Sequence, residues 1–234
     1  MVEVSFITFT RNSAHRLRGL LEHVKDVVDE IIVVDGYSTD GTVDVARSYG
    51  ARVYQRRPWG FVEPDRMFAL KQASYDWILY LDDDERLSSK LKKDLKSLID
   101  YAESNDICAF STMRVNLTPQ GKLILGLFYP CRQIRIFKKD RASYRGIIHE
   151  LPQIRGKILA LPNEYYILHL GIKIWSKNMH DMSEFKHYNI SSLTISAKLE
   201  ERYGIYFLSH QFHTISTYCM LICFEKRYPL ILKD

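Results

Sequence analysis

Four consecutive acids, Asp82, Asp83, Asp84 and Glu85, follow the apolar run Trp77–Leu81 in the stretch WILYLDDDERLS. Adjacent carboxylates raise one another's pKa unless a cation is present. A divalent ion such as Mg2+ or Mn2+ resolves that conflict, because it takes oxygen ligands and is held by one or two carboxylates together with substrate phosphates. On an extended segment residues i and i+2 point the same way. Asp82 and Asp84 are therefore expected to share one metal, while Asp83 points elsewhere and Glu85 only opens the following turn. The competing explanation is that the acids favour the first turn of the next helix. Ser88 and Ser89 offer that helix a separate N-cap, which favours the metal.

The elements that must position these acids alternate along the first hundred residues. VEVSFITFT (2–10), EIIVVD (30–35), ARVYQ (51–55) and DWILYLD (76–82) have the composition of strands. Between them lie helical patterns: Leu17, Leu20, Leu21, Val24 and Val27/Val28; a short TVDVARSYG closed by Gly50; and EPDRMFALKQAS with Pro64 in its first turn. A fourth helix carries Leu91, Leu95, Leu98 and Ile99 on one face. Strand–helix alternation with short connections predicts a parallel sheet covered on both sides. Ligands bind such sheets beyond the carboxyl ends of the strands. TFTRNS, VVDGYSTDGT and YLDDDE should then meet along one crevice. After Asn105 the pattern becomes strand after strand, including CRQIRIFKK and ASYRGIIHE, which predicts an antiparallel or mixed extension. Arg135 and Gln133 share one face of their strand, although such residues more often form the solvated face of an edge strand. Pro152 and Pro162 mark a loop region, and helical pattern returns from Ser176.

The 234 residues suit one ordinary domain with an appendage, and 46% apolar and 26% charged residues allow a sizeable core. A net charge of +5, dispersed and without a run of Lys and Arg to track phosphates, is too mild to argue for nucleic acid, and no nucleic-acid partner is expected. It is compatible with an anionic substrate or membrane surface. Cys108, Cys131, Cys219 and Cys223 lack metal-type spacing and read as reduced residues of an intracellular protein. Met1 leads straight into a strand rather than into a basic, then apolar, leader. A cytoplasmic protein is expected, with the inner face of the membrane as the second choice.

The motifs FITFTRN, EIIVVDGYSTDGTVDVA and DRMFALKQASYDWILYLDDDERLS, in that order and spacing, resemble the family 2 glycosyltransferases over roughly residues 2–150. The resemblance is to the branch with an LDADE-like metal motif that includes lipopolysaccharide-core sugar transferases. It implies an α/β fold of the GT-A (Rossmann-like) kind: a mixed, mostly parallel sheet flanked by helices, with a C-terminal helical appendage. The catalytic domain would span 1–172, divided into a nucleotide-binding half (1–105) and an acceptor-side half (106–172), with the helical region at 173–234. The resemblance further implies that Asp35 contacts the nucleotide base, that Thr8, Phe9 and Thr10 line the base pocket, and that Arg66 lies near the nucleotide. Asp82 and Asp84 would hold the divalent cation, with Asp83 near the ribose or sugar. Arg135 matches an R-x-F element that would touch the diphosphate. In YRGIIHELP, Gly146, His149 and Glu150 match a G-x-V-H-E segment. Glu150 would then be the base that an inverting transfer requires, and His149 would approach the metal or diphosphate. His169, in ILHLG, would complete the site as a similarly placed histidine does in some relatives.

The implied reaction is metal-dependent transfer of a sugar from a nucleotide-diphosphate donor to a hydroxyl of a saccharide or lipid-linked acceptor. A sugar nucleotidyltransferase would need a Gly-rich loop after the first strand to cradle a triphosphate, and FTRNSAH has no glycine. A non-catalytic nucleotide-sugar-binding protein is the third reading. The tail from 205 to 230 places Leu208, Phe212, Ile215, Cys219 and Ile222 at helical spacing, with too short an apolar run for a span. It packs on the domain, pairs with a second copy, or lies in a membrane interface.

Overall fold

The computed structural model describes residues 2–57, 63–117, 131–145 and 151–170. The expected helical region at 173–234, the tail at 205–230 and the segment 146–150 lie outside the described residues.

Strand β1 (Val4–Thr10) is buried at all seven positions, as expected of a central strand covered on both faces. Its parallel neighbours are β2 (Glu30–Asp35) on one side and β4 (Trp77–Tyr80) on the other, and β3 (Arg52–Gln55) lies outside β2. Helices α1 (Ala14–Val24), α2 (Thr42–Ser48) and α4 (Ser89–Ser104) pack on one face, and α3 (Glu63–Gln72) packs on the other. Helix α1 buries Leu17, Leu20, Leu21 and Val24 at i, i+3, i+4, i+7, and α4 buries Leu91, Leu95, Ile99 and Ala102 at i, i+4, i+8, i+11, with Leu98 partly buried beside them. Ser88 caps α4, its hydroxyl accepting from the Leu91 N–H at 3.2 Å.

The second half extends the same sheet. Strand β7 (Cys131–Lys138) is antiparallel to both β4 and β6 (Ile107–Leu117). It is thus interior, and Arg135 is buried, which corrects the expectation of a solvated edge. The stretch around Pro152 and Pro162 is also more regular than expected. Strands β9 (Gln153–Ile154), β10 (Lys157–Ala160) and β11 (Tyr166–Leu170) occupy it, with Pro162 in the connection between β10 and β11. β9 pairs with β8 (Ala142–Ser143), and β10 and β11 both run parallel to β6. Each apolar run is too short to show its period beside a proline.

One short strand shapes the whole sheet. β5 (Glu85–Leu87) pairs antiparallel with β11, giving the order β3-β2-β1-β4-β7-β6-β11-β5. β4 and β5 are four places apart in that order, which in a flat sheet is about 19 Å at ~4.8 Å per strand. Only residues 81–84 join them, and these include a tight turn in which the Glu85 N–H donates to the Asp82 carbonyl at 2.9 Å. The sheet must therefore curl until its β11–β5 edge returns to the carboxyl end of β4. That closure carries the end of β11 to the acidic run. Among the described residues no helix is long and apolar enough to cross a membrane.

Candidate active site

β1, β2 and β4 are parallel neighbours, so their carboxyl ends share one edge. Thr10 stands opposite Asp35 in register, and the Leu81 N–H donates to the Ile7 carbonyl. The order 3-2-1-4 puts the switch point of the sheet between β1 and β4, where such folds open a crevice. Phe9 and Thr10 reach that edge. Phe9 packs edge-on against Tyr80 with ring centres 5.7 Å apart, and the Thr10 hydroxyl lies 3.5 Å from Asp83 Oδ2. Thr8 is fully buried one layer below.

On the β2 side, Asp35 is fully buried and organises the loop that follows it. Its Oδ2 accepts from the Ser38 N–H at 2.9 Å and from Gln55 Nε2 at 3.2 Å, and its Oδ1 accepts the Ser38 hydroxyl. Asn12, at φ +48°, ties the β1 loop to this one. Its N–H donates to Ser38 Oγ at 2.8 Å, and its Oδ1 accepts from the Thr39 N–H at 2.8 Å.

The acidic run is divided among different partners. Residues 82–85 form a turn, so the extended i, i+2 geometry expected for Asp82 and Asp84 is corrected. Asp82 Oδ2 takes Arg135 Nη2 at 2.7 Å, and its Oδ1 takes the Tyr80 hydroxyl. Burial alone would raise the Asp82 pKa, but Arg135, the Tyr80 hydroxyl and Arg66 outweigh it and hold the carboxyl below its ordinary value. Asp83 turns to the α1 side, where Arg16 Nε lies 3.6 Å from Oδ1. Burial there raises its pKa, with Asp84 and Asp82 adding to the effect against Ser13 and Arg16. Glu85, expected only to open the turn, is fully buried. It accepts Arg135 Nη2 at 2.7 Å and the Asp82 N–H at 3.2 Å, with Arg114 Nη1 at 3.7 Å.

Asp84 faces the returned edge of the sheet. His169 Nε2 lies 3.5 Å from Asp84 Oδ2, and its Nδ1 lies 3.2 Å from Oδ1 of Asn116, its register partner on β6. The Leu170 N–H also donates to the Asp84 carbonyl at 2.8 Å. Arg86 clamps the turn from below. Its Nη1 donates to the carbonyls of Asp83 (3.0 Å) and Glu85 (2.7 Å), and its Nη2 donates to the Arg16 carbonyl (3.2 Å). Gly19 of α1 leaves the room, since a Cβ there would stand 2.9 Å from Arg86 Nη2.

Arg66 of α3 is buried on the opposite face, its guanidinium 4.9 Å from the centre of the Tyr80 ring and 5.2 Å from that of Tyr144. Arg135 lies 4.5 Å from the centre of the same Tyr80 ring. Of the residues expected at the site, Phe9, Thr10, Arg66, Asp82, Asp83, Asp84, Arg135 and His169 therefore converge on the β1–β4 crevice, and Asp35 borders it across β1. Gly146, His149 and Glu150 lie outside the described residues. Tyr80, Glu85, Arg86, Arg114 and Asn116 were not anticipated. An uncompensated four-carboxylate run on a buried strand was the available signal that arginines elsewhere must meet it.

Breaking a buried pair by removing one partner leaves an uncompensated charge, at a cost of about 3–5 kcal/mol, whereas replacing both partners by apolar groups costs far less. Glu85→Ala should accordingly lose about that much stability in urea denaturation. The triple variant Asp82→Asn/Glu85→Leu/Arg135→Met, which leaves neither carboxylate without its guanidinium, should recover most of the loss; an unchanged Glu85→Ala would remove Glu85 from this role.

Residues 5–150 match the family model of glycosyl transferase family 2. An uncharacterized glycosyltransferase of Rickettsia typhi is 30% identical over 150 residues, 64% of this chain and 51% of that protein. The lipopolysaccharide core biosynthesis glycosyltransferase LpsC of Rhizobium meliloti is 36% identical over 121 residues, 50% of this chain and 42% of that one. The chain spans about half the length of the curated relatives it matches. The crystal structure of S. aureus TarS 1-349 superposes with a TM-score of 0.52 at 18% identity, covering 72% of this chain and 60% of that one. That likeness concerns the fold, the curled, mostly parallel GT-A sheet. The chain belongs to glycosyl transferase family 2.

Proposed function

We propose that this chain is a metal-dependent, inverting glycosyltransferase that moves a sugar from a nucleotide diphosphate to a hydroxyl of a saccharide or lipid-linked acceptor. The observation that supports this most is the pairing of Asp84 Oδ2 with His169 Nε2 at 3.5 Å, with Asn116 Oδ1 behind the ring at 3.2 Å. With the ring proton on Nδ1 and donated to Asn116, Nε2 turns a lone pair toward a carboxylate. Two acceptors held face to face are a donor set for a cation, and the Asn116 contact is the outer hydrogen bond that metal-binding histidines usually make.

Among the described residues no group of three or more His, Cys, Asp or Glu side chains surrounds a common point. Two protein ligands still suit Mg2+ or Mn2+, which complete their coordination with substrate phosphates and water. Asp84 and His169 would hold the ion. When bound, it stabilises the charge of the departing nucleotide diphosphate. Asp82 fits this set poorly, because Tyr80 and Arg135 already engage its two oxygens. Its part is to fix Arg135 under the crevice.

The remaining assignments follow the strand ends. Phe9, Thr10 and the loop organised by Asp35 receive the nucleoside, Asp83 faces the ribose or sugar, and Arg66 and Arg135 add positive charge beneath the diphosphate. Glu150 takes the proton from the acceptor hydroxyl as that oxygen attacks the anomeric carbon and the bond to the diphosphate breaks. His149, by the family resemblance, would approach the metal or the diphosphate. The name of the LpsC relative favours an acceptor of the lipopolysaccharide-core kind.

Calorimetric titration with UDP and GDP should show binding with Mn2+ and its loss when the metal is chelated; equal binding in both conditions would contradict the metal assignment. Glu150→Gln should depress transfer by roughly 100-fold or more with nucleotide affinity kept. A comparable loss of affinity would instead make Glu150 a binding residue.

A further inference from the structure

Tyr37 is the residue whose conformation its neighbours leave unexplained. Its φ is +54°, in the left-handed region that bulky side chains avoid because Cβ crowds the following carbonyl. Glycine occupies that region freely. The chain does carry a glycine here, one position early. Gly36 is not among the positive-φ residues, and what it provides is space, since a Cβ there would meet the Arg11 side chain at 3.2 Å. The position that wants glycine's freedom carries a tyrosine instead.

The backbone on both sides of Tyr37 is held in place. The Gly36 N–H donates to the Thr10 carbonyl at 2.9 Å, and the Ser38 N–H donates to Asp35 Oδ2 at 2.9 Å. Asn12, on the neighbouring β1 loop, grips Ser38 and Thr39. Strain of this kind persists only where the surroundings over-determine it, and it collects at binding sites. The outcome of all this fixation is an aromatic ring left 56% exposed. A surface tyrosine that touched nothing would gain nothing from the arrangement.

The ring's place on the sheet names its partner. Tyr37 follows β2, and the acidic turn follows β4, with β1 between them. Two strand spacings, about 10 Å, separate the two ends. A nucleoside diphosphate with its phosphates at the acidic turn lays its base across the end of β1 onto the β2 loop. Aromatic faces take bases by stacking, whatever the base.

We propose that Tyr37 is a stacking platform for the donor's nucleobase, held out by a strained but clamped turn. This rests on the nucleotide-sugar reading of the site. The test compares the unmodified chain with Tyr37→Gly and Tyr37→Phe by calorimetry with UDP, GDP and inorganic pyrophosphate in the presence of Mn2+, alongside urea denaturation. Tyr37→Gly should raise the denaturation midpoint, because it relieves the left-handed strain. It should weaken UDP and GDP binding about tenfold or more while leaving pyrophosphate, which has no base, unchanged. Tyr37→Phe should match the unmodified chain in nucleotide affinity. Undiminished UDP and GDP binding by Tyr37→Gly, an equal loss for pyrophosphate, or a lowered midpoint would overturn the proposal and leave the donor reading standing. Failure of the unmodified chain to bind UDP, GDP or pyrophosphate would overturn both.

Discussion

The bridge from Arg135 to Asp82 and Glu85 is the interaction on which the rest depends. Four adjacent carboxylates at the end of a buried strand would repel one another and destabilise the fold. One guanidinium, donating to both carboxylates at 2.7 Å, bridges the first and last of the four, and Arg114, 3.7 Å from Glu85, adds a second positive charge. Removing either partner would strand a buried charge, which is far costlier than never having had the pair. The middle two acids are then free to turn away, Asp83 toward α1 and Asp84 toward β11. The chain thus carries a dense acidic run without leaving all four acids to a single metal.

The curl of the sheet is the second constraint, and it follows from the first. Glu85 is both the buried anchor for Arg135 and the first residue of β5, which pairs with β11 on the far edge. Anchoring the turn therefore also closes the sheet and brings His169, 85 residues on, to Asp84. Fold and site are built from the same residues, with Arg86 and the gap at Gly19 fastening the turn to α1.

The first half of this architecture was legible in the sequence because its signals are local. Buried parallel strands are uninterrupted apolar runs, α1 and α4 carry apolar stripes, and Ser88 is a plain N-cap. The convergence of the three strand ends followed from the handedness and parallelism of such folds. The partners of the acidic run were not legible, because sequence separation hides them: Arg135 comes from a strand 50 residues beyond Glu85, and it looked like edge polarity until β7 took an interior place. The extended D-x-D geometry failed for a related reason, since a turn closed by the Glu85 N–H replaces period-two alternation. β5 is three residues long and made of ERL, and no pattern rule assigns so short a polar strand. His169 was visible as a candidate, but its partner Asn116 required the β6–β11 register.

In the proposed site the acids have separate tasks, Asp82 holding Arg135 and Asp84 holding the cation with His169. Calorimetric Mn2+ binding in the presence of UDP, compared between Asp82→Asn and Asp84→Asn, tests this division most directly. Asp84→Asn should weaken Mn2+ binding by at least about tenfold, while Asp82→Asn should keep Mn2+ affinity and lower the denaturation midpoint. An equal or larger loss of Mn2+ affinity in Asp82→Asn would contradict that division.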